Sequence, residues 1–555
     1  MKKLILISFF ILFTILCIGT ILQTSPICDE VAHHLASGYS YLKTKDFRMN
    51  PATPAFSREL IAASLLVLNL RLPTDHPSWI NNDSPIFGRL FLYEYNDNPE
   101  RIVLLARLSV MLQSIILAFL VYVWARKVHG VNAAVFSVFL YLFSPAIIGN
   151  STIAMADISV SLFIFLTIFQ FWLFLQKKTI AGLIFTGIFF GLAQSSKHTA
   201  IILFPLFIIL GIVYAMNSSN NKGDMLWDMW KKIVLIWGIG FFTLWATYFF
   251  EFKPLLLNVS DINEKVVYIQ RFLSSIPFLD HKYIIDKVIY FAKNVPIPLS
   301  SFFISLFGVL HQSSIGQGVF FMGEHTISGS RIYYIVDYLI KTPIPLLIFI
   351  ILSIFLTLFK RLFKTKILTN WFIILPIFLI FVASSYSKIQ GGIRYLLPIY
   401  PFLFVWLGNI ITVKFNPFRN LFYKIIILII CLWYFWIALK TFPDYLCYFN
   451  EAVGGLNGFG HKITHDCDWG QDLKALGKFY KKNDLNEITL SYFGTADPSF
   501  YGINYKELSK EEQDVPGKKV YAISIRFLDS AKWTRNIPPS AKAGHSIFIY
   551  DFRVN

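Results

Sequence analysis

Long runs of apolar residues, separated by short basic stretches, set the pattern of this chain. The first, Leu4–Leu22, follows Lys2 and Lys3; others cover roughly 103–124, 132–149, 158–176, 179–194, 199–216, 233–250, 343–359, 370–384, 395–413 and 423–441. A helix rising about 1.5 Å per residue needs about 20 residues to cross the hydrocarbon core, and most of these runs approach that length. The pattern predicts a mainly α, polytopic membrane protein of about eleven transmembrane helices. The leading run is longer than the apolar core of a secretory signal, and Gln23-Thr24-Ser25 is a poor cleavage site, so it reads as a retained anchor.

Charge sets the expected orientation. Lys2/Lys3, Arg126/Lys127, Lys177/Lys178, Lys222/Lys231/Lys232, Lys360/Arg361/Lys364/Lys366 and Lys414/Arg419/Lys424 all fall on one side of the alternation. By the positive-inside rule that side is cytoplasmic. The N-terminus is then cytoplasmic, and 23–101, 251–342, 385–394 and everything after Thr441 lie outside, giving a transmembrane domain over 1–441 and an extracytoplasmic domain over 442–555.

The polar segments have their own periodicities. From Asp29 to Leu42 small and apolar residues recur at helical spacing, so Asp29 and Glu30 lie one turn before His33 and His34 on a short helix along the membrane face. The second loop mixes apolar stretches such as Tyr283–Phe291 with Pro296, Pro298 and a series of glycines, which predicts interfacial helices forming a lid or a groove wall. After Thr441, Asp472–Lys481 is amphipathic while Glu487–Phe493, Lys519–Phe527 and Ser546–Phe552 read as strands, a small α/β domain.

Composition agrees with a membrane protein: 55% of the 555 residues are hydrophobic and 17% aromatic, with a mean hydropathy of +0.57. The net charge of +17 is accounted for by the basic cytoplasmic fringe facing membrane lipids, not by nucleic-acid binding. Five cysteines are too few for a disulfide scaffold, although Cys447 and Cys467 share the outer side and a bridge between them is left open.

Chemistry concentrates at the outer turns. Asp29 and Glu30 follow the first run, Asp157 sits in the short turn before the fourth, and Glu324-His325 lie in the second loop; Lys197 and Arg394 stand at the ends of other runs. Acids and cations converging at the membrane face suit a donor held by a lipid phosphate. Lys or Arg meets the phosphate charge, while a carboxylate takes the proton of an acceptor hydroxyl as the anomeric carbon becomes oxocarbenium-like. Asp29 is the candidate base. His33 and His34 at helical spacing from the acids keep a divalent metal open, although no cofactor is called for.

The string Asp29-Glu30-x-x-His33, followed by Gly38-Tyr39-x-Tyr41-Leu42-Lys43-Thr44-x-Asp46-Phe47-Arg48, resembles the first outer loop of the protein O-mannosyltransferase-like branch of the GT-C membrane glycosyltransferases. Met155-Ala156-Asp157, Ser196-Lys197-x-Thr199, Gly323-Glu324-His325, Lys341-Thr342-Pro343 and Arg394-Tyr395-x-x-Pro398 look like later motifs of that family in the same order. Tyr448-Phe449-Asn450-Glu451, Asp468-Trp469-Gly470-Gln471-Asp472 and Gly494-Thr495-Ala496-Asp497-Pro498 are similar to its phospholipid carrier-dependent subgroup.

The resemblance implies an inverting transfer from a dolichyl- or undecaprenyl-phosphate sugar to a protein, lipid or glycan acceptor. It makes Asp29 the base or acceptor-positioning group, supported by Glu30, and Asp157 a second active-site acid. Lys197 and Arg394 are the expected phosphate ligands. Where relatives carry His-Pro-Pro-Leu and then Lys, this chain has Thr53-Pro54-Ala55-Phe56 and Arg58, so the donor phosphate contact is either altered or moved to Arg58. His33, Glu324, His325, Asp468 and Trp469 are candidates for acceptor or loop contacts. A transporter or flippase of lipid-linked sugars, and a scaffold whose tail binds a partner, are the competing readings. The first would place charges deep within spans, where the runs here hold almost no acid.

Overall fold

In lipid, an apolar run satisfies its backbone polar groups only as a helix or a closed barrel. The computed structural model is accordingly mainly helical; it describes residues 2–50, 52–217, 221–255, 287, 290–359, 367–413 and 417–553. Among these, seven helices are long and apolar enough to cross a membrane: Lys2–Gln23, Pro99–His129, Ala156–Lys177, His198–Met216, Lys222–Thr247, Leu368–Tyr386 and Pro417–Lys440.

Two bent pairs raise the number to nine if each is one span: Val131–Leu142 with Pro145–Ser151, and Tyr333–Lys341 with Ile344–Leu358. They bend by 61° and 113°. Both breaks fall at a proline, Pro145 and Pro343, whose ring removes a helix hydrogen bond and crowds the preceding turn. Ile180–Ser196 and Ile399–Thr412 are apolar but shorter. Every expected run is therefore helical, but a count of eleven crossings is not reached by length and composition.

The first loop forms a compact layer at one end of the bundle. A π-helical turn, Glu30–His34, runs into the helix Leu35–Thr44, against which Phe56–Ala62 and Ser84–Tyr93 pack. Asp83 caps the last of these by accepting from the Ile86 N–H at 3.1 Å. Gly88 allows that helix to touch the turn, since a Cβ there would stand 1.9 Å from the Val31 carbonyl oxygen.

The turn is held by a charge inside the bundle. Arg107, on the helix Pro99–His129, meets Glu30 with Nε donating to Oε1 at 2.8 Å and Nη2 to Oε2 at 2.7 Å; both side chains are 0% exposed. Glu30 also accepts from the Ile27 and Ala154 N–H groups, at 2.7 and 2.6 Å. Arg107 spends its remaining donors on the Ser25 carbonyl and the Thr24 hydroxyl, at 2.7 and 3.0 Å. A buried pair of charges persists only when its hydrogen bonds are complete, as they are here.

Of the second loop, the described part contains the short pair β1 (Phe252–Lys253) and β2 (Ile297–Pro298), the helix Ser300–Ile315 and the hairpin β3 (Val319–Phe321) and β4 (Glu324–Thr326). Most of Tyr283–Phe291 lies outside the described residues.

The C-terminal region carries a sheet of β5 (Ile488–Ser491), β6 (Tyr505–Glu507), β7 (Val520–Ser524), β8 (Ala541–Ala543) and β9 (Ile547–Asp551), in the order β6-β5-β7-β9-β8. β5 is parallel to β6 and β7, and β9 is antiparallel to its neighbours. The helix Leu473–Lys482 covers one face through Leu473, Leu476 and Tyr480. On the other face Tyr521, Ile523 and Phe548 pack with Cys447 and Cys467. Those two cysteines are free, and the Cys447 thiol donates to the Cys467 carbonyl at 2.9 Å.

Arg107→Leu strands the Glu30 carboxylate in the interior. The expected loss is about 3–5 kcal/mol of stability, read as a lower melting temperature of the detergent-purified protein. The E30Q/R107L double variant should recover part of that loss; a double variant as unstable as the sum of its singles would show that the two groups do not act as a pair.

Candidate active site

Asp29 and Glu30 are adjacent in sequence but point to different partners. The π turn that begins at Glu30 directs that carboxylate inward to Arg107, while Asp29, just before it, stays at the surface of the loop and a quarter exposed. Glu30 is therefore a structural anchor and not a second acid at the site, because all of its acceptor capacity is spent on buried donors.

Asp29 receives the Arg394 Nη1–H at 2.9 Å. Arg394 is placed by the loop Gly391–Arg394: its Nε donates to the Gly391 carbonyl at 3.1 Å, and the Asp466 carboxylate accepts from the Ile393 N–H at 2.9 Å. Gly392 has a φ of +77° and lies against Asp466, where a Cβ would sit 2.0 Å from the carboxyl carbon. The loop takes this path because position 392 lacks a side chain. Lys341, nearly buried, supports the same corner by donating to the Leu446 carbonyl at 3.0 Å and to the Asp466 carbonyl.

The second acid has its own cation. Lys197 Nζ lies 2.6 Å from Asp157 Oδ1, with Asp157 2% and Lys197 13% exposed. Asp157 opens the helix Ala156–Lys177, and Lys197 stands at the end of Ile180–Ser196, so the pair joins two helix ends. Asp157 Oδ2 is buried without a hydrogen-bond partner among the described residues. Tyr395 links the two pairs: Lys197 Nζ is 4.2 Å and the Arg394 guanidinium carbon 5.8 Å from its ring centre. Four of the expected residues thus meet as two acid–cation pairs about one aromatic ring.

Burial by itself would raise the Asp29 carboxyl, but the Arg394 guanidinium holds it down to about 2. Burial and the charge of Arg58 act the other way on His33 and His34, lowering both. The turn therefore carries an ionised Asp29 beside imidazoles that resist protonation.

The C-terminal Asp468–Gln471 loop closes over this centre. Cys28 N–H donates to the Trp469 carbonyl at 2.9 Å, Ser25 N–H to the Gln471 carbonyl at 2.9 Å, and the Thr495 hydroxyl to the Cys28 carbonyl at 2.8 Å. The Trp469 ring lies 4.1 Å from the Arg394 guanidinium carbon. A small cavity next to it is lined by Ile27, Asn150, Lys341, Arg394, Asp466 and Trp469. Asp468 is buried, which pushes its carboxyl up to about 7 against the opposing pull of Arg526.

Other expected residues lie elsewhere. Arg58 is fully buried inside the first loop, donating to the Tyr41 hydroxyl at 2.7 Å, the Asn50 carbonyl at 2.6 Å and the Thr53 hydroxyl. Its terminal nitrogens are taken by Tyr41, Asn50 and Thr53, the last of these in the string that replaces the family's, so it is not a phosphate ligand in this arrangement. Glu324 and His325 are exposed on the β3–β4 hairpin; His325 faces Asp529 at 3.4 Å and the Phe320 ring, with no contact to Asp29, Arg394, Asp157 or Lys197 among the described residues.

His33 turns to the Ser84 hydroxyl at 3.1 Å. Asp29, Glu30 and His33 therefore do not converge on one ion, and among the described residues no three His, Cys, Asp or Glu side chains form a metal-binding group.

Arg107, Asp466 and Arg526 escaped the sequence reading. Arg107 had a visible signal, as the only charge in the run 103–124. Asp466 and Arg526 had none, because their roles depend on contacts across the fold.

Residues 100–246 match the family model described as dolichyl-phosphate-mannose-protein mannosyltransferase. No curated protein matches. Among solved structures, the chain is similar to ArnT from Cupriavidus metallidurans bound to undecaprenyl phosphate, at 11% identity over 98% of this chain and 97% of that one, with a TM-score of 0.47. It is also similar to the archaeal oligosaccharyltransferase AglB from Archaeoglobus fulgidus in complex with an inhibitory peptide and a dolichol-phosphate, at 14% over 80% and 56%, TM-score 0.48. The S. cerevisiae protein O-mannosyltransferase Pmt1–Pmt2 complex bound to the sugar donor matches at 15% over 45% and 33%, TM-score 0.34. The chain is a multi-pass membrane protein that resembles GT-C glycosyltransferases of the protein O-mannosyltransferase kind.

Arg394→Gln removes the charge that depresses Asp29 and leaves burial to raise it. A water-soluble carbodiimide reacts with protonated carboxyl groups, so in the wild type Asp29 should label only as pH falls toward about 2. In R394Q labelling by mass spectrometry should begin at higher pH; an unchanged onset would show that Arg394 does not set the ionisation of Asp29.

Proposed function

We propose that this protein transfers a sugar from a polyprenyl-phosphate donor to an acceptor hydroxyl at the extracytoplasmic face of the membrane, with inversion at the anomeric carbon. The single observation that carries this reading is the pairing of Asp29 with Arg394 and of Asp157 with Lys197 around Tyr395. Each acid sits on a cation suited to a phosphate. A hydrolase of soluble sugars has no need of two such cations at the ends of membrane helices.

The acceptor oxygen attacks the anomeric carbon from the face opposite the phosphate and gives its proton to the Asp29 carboxylate. The bond from that carbon to the phosphate oxygen breaks, its electron pair leaves with the phosphate, and Arg394 and Lys197 stabilise the added charge. While Arg394 is bound to Asp29, the carboxylate is a weak base, at about 2. A donor phosphate that takes over the guanidinium leaves Asp29 with burial as the stronger influence, which raises its basicity when the acceptor arrives. Asp157, 2.6 Å from Lys197, directs it at the same point. Donor binding thus arms the base, and a site without donor keeps it quiet.

The topology in this reading follows the basic stretches, with the N-terminus cytoplasmic and 442–555 outside as a separate domain. The donor lipid tail lies among the membrane helices. The acceptor is a protein, lipid or glycan.

Asp29→Asn should lower transfer by about 10²–10⁴-fold, the usual range for losing a general base, with insertion and melting temperature retained. The assay is purified protein with radiolabelled undecaprenyl- or dolichyl-phosphate sugars and candidate acceptors. Substantial transfer by D29N would remove Asp29 from the mechanism, and translocation of unmodified donor would favour the flippase reading instead.

A further inference from the structure

The strand order places a third cation beside Arg394 and Lys197. β5 leads to β6 on one side, and the chain then returns to β7 on the other, so the connections after β5 and β7 diverge at their carboxyl ends. In open α/β sheets such a divergence makes a crevice where ligands bind. Here it is formed by Phe493 and Thr495 after β5 and by Arg526 and Phe527 after β7. It opens toward the first loop, because Thr495 is bonded to the Cys28 carbonyl, one residue from Asp29.

Arg526 is fixed in this crevice. Its Nε donates to the Asp468 carbonyl at 2.7 Å and its backbone N–H to Asp468 Oδ2 at 3.2 Å. The guanidinium carbon lies 4.3 Å from the Phe493 ring centre and 4.7 Å from that of Trp469. Only the Nε edge is engaged. The two terminal nitrogens have no hydrogen-bond or ion-pair partner among the described residues, and the side chain is half-buried.

The same indole carries Arg394 at 4.1 Å. Two guanidinium groups on one ring repel each other in a partly desolvated setting. The acids nearby balance them only in part: Asp29 serves Arg394, and Asp468 is buried, so that its carboxyl, at about 7, is only partly ionised at neutral pH. A planar fork held between aromatic rings, with its outer edge open and unneutralised, suits a tetrahedral or planar oxyanion.

We infer that Arg526 and Arg394, both packed on Trp469, form a two-guanidinium clamp that binds a phosphate or carboxylate group of a substrate. The site-level inference deepens the transferase reading, on which it rests only for the origin of the group, which is either the donor's lipid phosphate or an acidic group beside the acceptor hydroxyl. Arg526 is the arm supplied by the C-terminal region, so the sheet contributes a ligand to the site as well as a cover.

The test is binding of inorganic phosphate to the full-length protein in nanodiscs, followed by the rise in melting temperature over chloride at matched ionic strength. Wild type should be stabilised. R526Q should bind phosphate about tenfold more weakly, and R526K, which keeps the charge without the fork, should fall between. K532Q, a surface control paired with Asp514, should match wild type.

If R526Q merely melts lower while its phosphate-dependent increment is unchanged, or if phosphate stabilises wild type no more than chloride does, the clamp is refuted. Tritiated undecaprenyl phosphate separates the sources. A parallel loss of its affinity in R526Q assigns the clamp to the donor phosphate, and an unchanged affinity alongside lost phosphate binding assigns it to the acceptor. Failure of glycosyl transfer with phosphate binding intact would count against the transferase reading alone.

Discussion

The buried pair of Glu30 and Arg107 is the constraint on which the site depends. It joins the turn after the first membrane helix to the helix Pro99–His129, and through the Ala154 N–H it reaches the segment before Asp157. Removing two charges from water costs several kcal/mol per ion. That cost is offset only in one arrangement, with Ser25, Thr24, Ile27 and Ala154 each in place. The pair therefore specifies geometry more than it adds stability, and the geometry it specifies leaves Asp29 facing out.

Around this anchor the charges of the site are arranged in mutual dependence. Asp29 and Arg394 come from positions far apart in the chain, as do Asp157 and Lys197. The two cations are packed against aromatic rings, Lys197 on Tyr395 and Arg394 on Tyr395 and Trp469, so each needs its acid to balance the charge there. In each pair the acid and the cation stand within hydrogen-bonding distance, at 2.9 and 2.6 Å.

The C-terminal region contributes through its loops. The Asp468–Gln471 segment is bonded to Ser25 and Cys28 by backbone hydrogen bonds, and side chains fix it further: Gln471 donates to the Cys467 carbonyl and Arg526 to the Asp468 carbonyl. Trp469 and Arg526 then bring an aromatic face and a cation to the rim. The loops of the first and last parts of the chain meet at one end of the helix bundle, and the site lies at that junction.

The helical segments were legible because an apolar run of about 20 residues has one good backbone solution in lipid, and the amphipathic stretch at 472–481 and the strands near 488, 520 and 547 were legible from their periods. The number of crossings was less so: hydropathy does not register that Pro145 and Pro343 bend their helices. Asp29, Asp157, Lys197 and Arg394 stood out as charges at the ends of apolar runs. Which acid pairs with which cation, that Glu30 turns inward, that Arg58 is consumed by Tyr41, Asn50 and Thr53, and that Arg526 reaches Trp469 were all decided by the tertiary structure. Local pattern reports how a segment meets water or lipid; the partner of a buried charge is set by contacts between segments that only the fold brings together, 77 residues apart for Glu30 and Arg107 and 365 for Asp29 and Arg394, and such contacts leave no periodic trace in the chain.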